Sequence, residues 1–304
     1  MKITLDLSQL LDKGEITREE YDKLIRLSAT QTGSLGFNIL IAFGVLAISG
    51  GFLALFPSPI TSMALGLVIG ALGITLGIFM LPRWQVLASI STLLGALLLG
   101  GGIVKIAEGS ASSFLLMTAV FLIAGVASRS GLLISLAVLS LSSSTGARTG
   151  YFHAAYFLGI KEPGITVLLF SVFAMGSLWL SKRVTTEFAR LALIASRTSV
   201  IVVNFGFWIG SLWGDRDFKR NIVISDNMFS VGWALALLAT GVWGVSKNSR
   251  WVVNTVAVFG GIHFYTQWFE NLGASPGTVV VAGILAISGA VALKAVNQRV
   301  RAET

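Results

Sequence analysis

The sequence contains no cysteine, only two histidines and five prolines, and charged residues make up just 12% of its 304 positions. Without cysteine there is no disulfide, no thiolate nucleophile and no cysteine-ligated metal or iron–sulfur centre. The shortage of charge argues against a soluble globular fold, because soluble domains are about 25% charged. Sequence patterns of enzymes are missing too. There is no His-Glu-x-x-His, no pair of intramembrane aspartates, and no serine with a base partner at recognisable spacing. A non-enzymatic protein without cofactor or metal is therefore expected.

What is present is apolar. Hydrophobic residues make up 54% of the chain, arranged in successive runs long enough to cross roughly 30 Å of hydrocarbon as helices. The candidate spans are residues 36–56, 60–81, 85–104, 111–127, 131–147, 163–181, 191–211, 226–246, 251–269 and 275–294. The expected fold is an all-α polytopic transmembrane bundle of about ten spans (36–294), with a small N-terminal helical hairpin (1–30) and a tail (295–304). Acidic residues crowd the segment before the first run and no small-residue cleavage site follows it, so that run is expected to be a retained span rather than a secretory signal.

In the N-terminal segment, Leu7, Leu10 and Leu11 form a stripe before Gly14, a residue suited to a left-handed helix end. Thr17-Arg18-Glu19-Glu20 has the spacing of a capping box that starts a second helix. The stretch Leu10-Leu11-Asp12-Lys13-Gly14-Glu15-Ile16-Thr17-Arg18-Glu19-Glu20-Tyr21 resembles the Leu…Gly-x-Ile-Thr-x-Glu-Glu-(Phe/Tyr) pattern of short bacterial helical modules. These include the short C-terminal oligomerisation domain and the cytoplasmic heads of a family of bacterial multi-span membrane proteins with domains of unknown function. The second fits better, since the pattern here is N-terminal and spans follow it. The resemblance implies a bacterial inner-membrane protein.

Charge placement suggests an orientation. Lys and Arg near span ends are retained on the cytoplasmic side. With ten spans and the head inside, the inner loops and tail (Arg83, Arg129, Lys182, Arg183, Glu187, Arg190, Lys247, Arg250, Lys294, Arg299, Arg301, Glu303) carry a net +8 and the outer loops zero. Both termini are then cytoplasmic. The same distribution removes a nucleic-acid partner, because the basic residues are spread as orientation signals beside lipid rather than gathered in a stripe. The expected surroundings are a lipid bilayer, with a membrane-protein partner or a second copy of the chain as further possibilities.

Several features are candidates for function. Gly66-x-x-x-Gly70, Gly73-x-x-x-Gly77 and Gly206-x-x-x-Gly210 suit close helix packing, within the bundle or at a dimer face. Ser142–Gly150 is a polar interruption read as an external turn anchored by the aromatic run Tyr151–Phe157. Arg148, His153, His263, Gln267 and Glu270 all fall toward the outer side, with His263 and Gln267 four apart on one helix face, and form a candidate polar site. Their alternative is an interfacial structural role. Arg197 is an intramembrane charge: it snorkels to the cytoplasmic interface, or residues 182–197 form a surface helix and the span begins at Thr198, or it binds an anion. Asp215 and Asp217 look solvated in a charge-balanced loop. A weak repeat aligns Arg129 with Arg250 and Leu158–Gly164 with Leu272–Gly277. Function is expected to be that of a carrier or lipid- and small-molecule-handling protein; the alternative is a scaffold or assembly subunit of a membrane complex.

Overall fold

The structure is a computed structural model that describes residues 7–79, 84–152, 155–216 and 222–302. It is helical apart from two short antiparallel hairpins. The elements are α1 (Leu7–Asp12), α2 (Arg18–Leu55), α3 (Pro59–Phe79), α4 (Gln85–Ile106), α5 (Ala111–Ala127), α6 (Gly131–Ser144), β1 (Ala147–Phe152), β2 (Ala155–Ile160), α7 (Pro163–Ser181), α8 (Thr186–Trp213), β3 (Asp215–Arg216), β4 (Ile222–Ile224), α9 (Asp226–Ser246), α10 (Arg250–Leu272) and α11 (Pro276–Ala302). Two compact units divide the chain, Met1–Ala137 and Val138–Thr304.

Helices α2 to α11 lie on the ten apolar stretches. Five of them, α3, α4, α7, α8 and α9, are long and apolar enough to cross a membrane. Helix α6 has 14 residues, about 21 Å of helix, because the hydroxyls of Ser142, Ser144 and Thr145 turn back onto the carbonyls of Leu139, Leu141 and Ser142. Such back-bonding favours leaving the helix. The polar interruption leads into the β1–β2 hairpin, in which Arg148 pairs with Gly159 and Tyr151 with Tyr156.

The N-terminal start forms as its sequence dictates. Gly14, at φ +70°, ends α1, with its own N–H on Leu11 O and that of Glu15 on Leu10 O. The Thr17 backbone N–H donates to the Glu20 carboxylate at 2.8 Å, and the Glu20 N–H donates to Thr17 Oγ1 at 3.3 Å, which completes the capping box. The Thr17 backbone N–H first, and then the Thr17 hydroxyl, which donates to the same carboxylate at 2.9 Å, hold the Glu20 carboxyl below its usual range. The helix that starts here does not stop near residue 30. It continues for 38 residues through Leu55, since residues 27–36 contain no proline to break it.

In the first unit, α3 is inside out relative to a soluble helix. Its buried residues are Gly66, Gly70 and Gly73, whereas Ile60 is 72% and Phe79 81% exposed. A Cβ on Gly66, Gly73 or Gly95 would strike the backbone of the facing helix, so α3 and α4 meet main chain to main chain. That arrangement suits a lipid surround, where large apolar side chains gain nothing by turning inward and close backbone packing supplies the association. Phe121, Ala124, Leu133 and Ala137 close the rest of this unit's core with Ala96.

The second unit repeats the plan of α3–α6 in α7–α10. Pro163 stands 104 residues after Pro59, and at that offset the buried Gly66, Gly70 and Gly73 correspond to the buried Phe170, Ala174 and Ser177. Ala88, Ser91, Thr92 and Gly95 of α4 likewise correspond to the buried Ala192, Ala195, Ser196 and Ser199 of α8. A Cβ on Gly102 would meet Met63 and the Pro59 carbonyl, and one on Gly206 would meet Val167 and the Pro163 carbonyl. After β3 and β4 the register advances: the N-cap serines of α5 and α9 are Ser110 and Ser225. Helix α9 is then longer, 21 residues against 17.

The turns that follow match bond for bond. Ser130 N–H donates to Gly125 O and Arg129 N–H to Val126 O, while Ser249 N–H donates to Gly244 O and Asn248 N–H to Val245 O. This is the Schellman pattern, with Arg129 and Asn248 at φ +54° and +50°. The repeat thus pairs Arg129 with Asn248, not with Arg250. The other sequence match, Leu158–Gly164 with Leu272–Gly277, holds only in its second half: Pro163 and Pro276 each open a helix, but Leu158 lies in β2 whereas Leu272 ends α10.

Candidate functional site

The site lies in the second unit, between α7, α8, α9 and α10. Helix α8 runs unbroken from Thr186 to Trp213, so Arg197 is about 16 Å along it and not on a separate surface helix. Its side chain is exposed, and its guanidinium lies 5.3 Å from the centre of the Trp251 ring. Trp251 belongs to the first turn of α10. The charge therefore reaches toward a helix end, as a snorkelling arginine does, and rests on an aromatic face.

Beneath this pair is a cavity of about 470 Å³. Its wall includes Ala174 and Leu178 from α7, Arg197, Val200 and Asn204 from α8, Trp233, Thr240 and Trp243 from α9, and Trp251 and Thr255 from α10. Arg197, Met175, Thr240 and Trp243 are exposed and Trp233 is fully buried, so the cavity is open along the side that carries the arginine and is backed by the indole. Among the described residues Arg197 is the only charged one in the lining.

The polar groups in the wall are held by the fold. Ser196 Oγ donates to the Ala174 carbonyl at 2.9 Å, tying α8 to α7. Asn204 Nδ2 donates to Val200 O, and its Oδ1 accepts from Trp233 Nε1 at 2.9 Å. A buried amide and a buried indole thus satisfy each other, as buried polar groups must. At the mouth, Ser249 precedes α10 without a side-chain cap, leaving the positive end of the helix dipole beside the cavity.

On the far side of Trp233 is His263, with ring centroids 4.9 Å apart in an edge arrangement. Its Nδ1 is buried and makes no hydrogen bond within the described residues. The imidazole also lines an open apolar groove between α9 and α10, together with Gly241, Val245 and Gly260. Gln267 is half-buried on the same helix and Glu270 is exposed. Arg148 lies in β1, but its side chain falls outside the described residues, as does the whole of His153. Of the five polar residues grouped by sequence, only His263 is seen to reach the Trp233–Asn204 network. Among the described residues no three His, Asp or Glu side chains could hold a metal.

One residue departs from its sequence reading, and Asp217, read together with it, lies outside the described residues. Asp215 is half-buried rather than solvated, and its Oδ2 accepts from the Gly164 N–H at 2.9 Å. A carboxylate there complements the N-terminal end of α7. Trp233, Trp243 and Trp251 gave no sign in the sequence of a common role. Only their spacing from helix ends could have hinted at it: Trp243 near the end of α9 and Trp251 at the start of α10, on either side of a short turn.

No protein-family model, curated protein or solved structure matches the chain.

Proposed function

We propose that this is a non-enzymatic, multi-pass membrane protein that binds and handles a lipid or other small amphiphile in the cavity of its second unit. The observation that carries this reading is the cavity itself: about 470 Å³, within the roughly 300–1,000 Å³ of small-molecule sites, apolar along most of its wall and charged at its mouth. The shorter apolar helices α5, α6 and α11 would complete a bundle of about ten spans with α2 and α10. The Lys and Arg at the α7–α8 and α9–α10 turns, Lys182, Arg183, Lys247 and Arg250, support a cytoplasmic mouth and cytoplasmic termini in a bacterial inner membrane.

A scaffold role has less support. Gly66, Gly73 and Gly206 already face helices of the same chain, so among the features first read as partner surfaces the N-terminal hairpin is the main one left. The test is thermal unfolding of the purified chain in uncharged detergent against anionic, neutral and cationic amphiphiles. A ligand present at about 100 times its Kd adds roughly 2.7 kcal/mol of stability and raises Tm. No shift with any amphiphile, together with a protein that co-purifies and is released on deleting residues 1–30, would replace this reading with the scaffold.

A further inference from the structure

We infer that the ligand of the α7–α10 cavity is a single-chain amphipathic anion, a carboxylate or phosphate monoester whose head is held by Arg197 and whose hydrocarbon chain runs toward Trp233. This rests on the binding role proposed above and adds the ligand's charge, shape and direction.

The charge follows from the lining. Arg197 brings a positive charge to the mouth, and among the described residues no Asp or Glu lines the cavity to offset it. Among the described residues its contact there is the Trp251 ring, 5.3 Å from Cζ to the ring centre. One aromatic ring cannot use the five N–H donors of a guanidinium, whose planar fork matches carboxylate and phosphate oxygens bidentately. A cationic amphiphile would be repelled at the same point. Ser196, Asn204 and Thr240 already bond to protein groups, which leaves an uncharged polar solute the hydroxyls of Ser171, Ser249 and Thr255, none of them a match for the charge of Arg197.

The shape follows from the volume and the gradient of polarity. The opening has a guanidinium and two indoles, whereas the interior is walled by Ala174, Val200 and Leu237 and ends on the buried Trp233. One hydrocarbon chain fits a space of about 470 Å³; the whole of a two-chain phospholipid does not. The head must therefore sit at the arginine end and the chain must point inward.

The three indoles of the lining supply a readout, since bromine on a bound chain quenches tryptophan fluorescence. The full chain in an uncharged maltoside detergent is titrated with dibromostearate, with dibromostearoyl lysophosphatidate, and with the alcohol and amine of the same chain. Saturable quenching is expected from an anion at a concentration at least tenfold below that needed for the alcohol or the amine. Whichever of carboxylate and phosphate binds more tightly identifies the head group. Arg197→Gln weakens the anion by about tenfold to a hundredfold, the scale of one charge-assisted hydrogen-bond pair, and leaves the alcohol unchanged. Arg197→Lys restores part of the loss. Equal binding of alcohol and anion overturns the inference while leaving the binding role intact, as does anion binding indifferent to Arg197→Gln. Absence of quenching by all four chains overturns both. If Arg197→Gln does not fold, the comparison of head groups on the unaltered protein still decides.

Discussion

Trp233 donates its indole N–H to the Oδ1 of Asn204 at 2.9 Å, from a side chain with no exposed surface. The bond ties α9 to α8 at the back of the cavity, and His263 packs edge-on against the same indole. Trp233→Phe keeps most of the ring contact and leaves the Asn204 oxygen without its donor. A loss of about 1–3 kcal/mol is expected, read as a lower Tm in detergent. Asn204→Leu in the Trp233→Phe background should recover part of that loss, because removing both polar partners costs less than removing one.

The α3–α4 contact depends on the absence of side chains. Gly95→Leu would place a branched side chain against the backbone of Gly66 and Gly70 and force the helices apart. Overpacking of this kind costs about 1–3 kcal/mol or more. Gly176→Ala, where nothing lies within 4 Å of the added carbon, should leave Tm unchanged or slightly raised.

The repeat predicts paired effects. Gly125 faces Leu133 and Ile134, as Gly244 faces Val252 and Val253. Gly125→Val and Gly244→Val should therefore lower Tm by similar amounts, and hydrogen exchange should show each loss within its own unit. A large effect at one position and none at the other would break the equivalence.

Asp215 contributes charge as well as a hydrogen bond to the start of α7. Asp215→Asn keeps an acceptor and loses the charge, at an expected cost of about 0.3–1 kcal/mol. Asp215→Ala loses both and should cost more. Thermal unfolding at low and high salt separates the two, since only the charge–dipole part is screened.

The capping box responds to pH. Because the Glu20 carboxyl is held below its usual range by Thr17, its contribution is present above the ordinary glutamate value and is lost as pH falls through the lowered folded-state value. Amide exchange in the first turn of α2 should accelerate over that interval. Thr17→Ala should speed exchange there about fivefold at neutral pH and remove most of the pH dependence.

Much of the fold was legible because its determinants are local. Gly14, the Thr17–Glu20 spacing and the limits of α5, α7 and α9 at 111–127, 163–181 and 226–246 all rest on residues adjacent in sequence. The repeat was legible only in outline. Its exact register lies in hydrogen bonds at Arg129 and Asn248 and in glycine contacts, which similar apolar compositions obscure. The candidate site was the least legible. Arg197 stood out as a charge in an apolar run, but the indoles that frame it come from other helices.

The sequence by itself determined a membrane-type helical chain, its capped start and the positions of its apolar segments, because charge, hydropathy and turn chemistry act over a few neighbouring residues. Only the tertiary structure decided which glycines meet backbone, that Asp215 caps α7, and that Arg197, Trp233 and Trp251 share one cavity. Those relationships join residues tens of positions apart. They exist only once helix packing has brought the separate faces together, and no local rule encodes them.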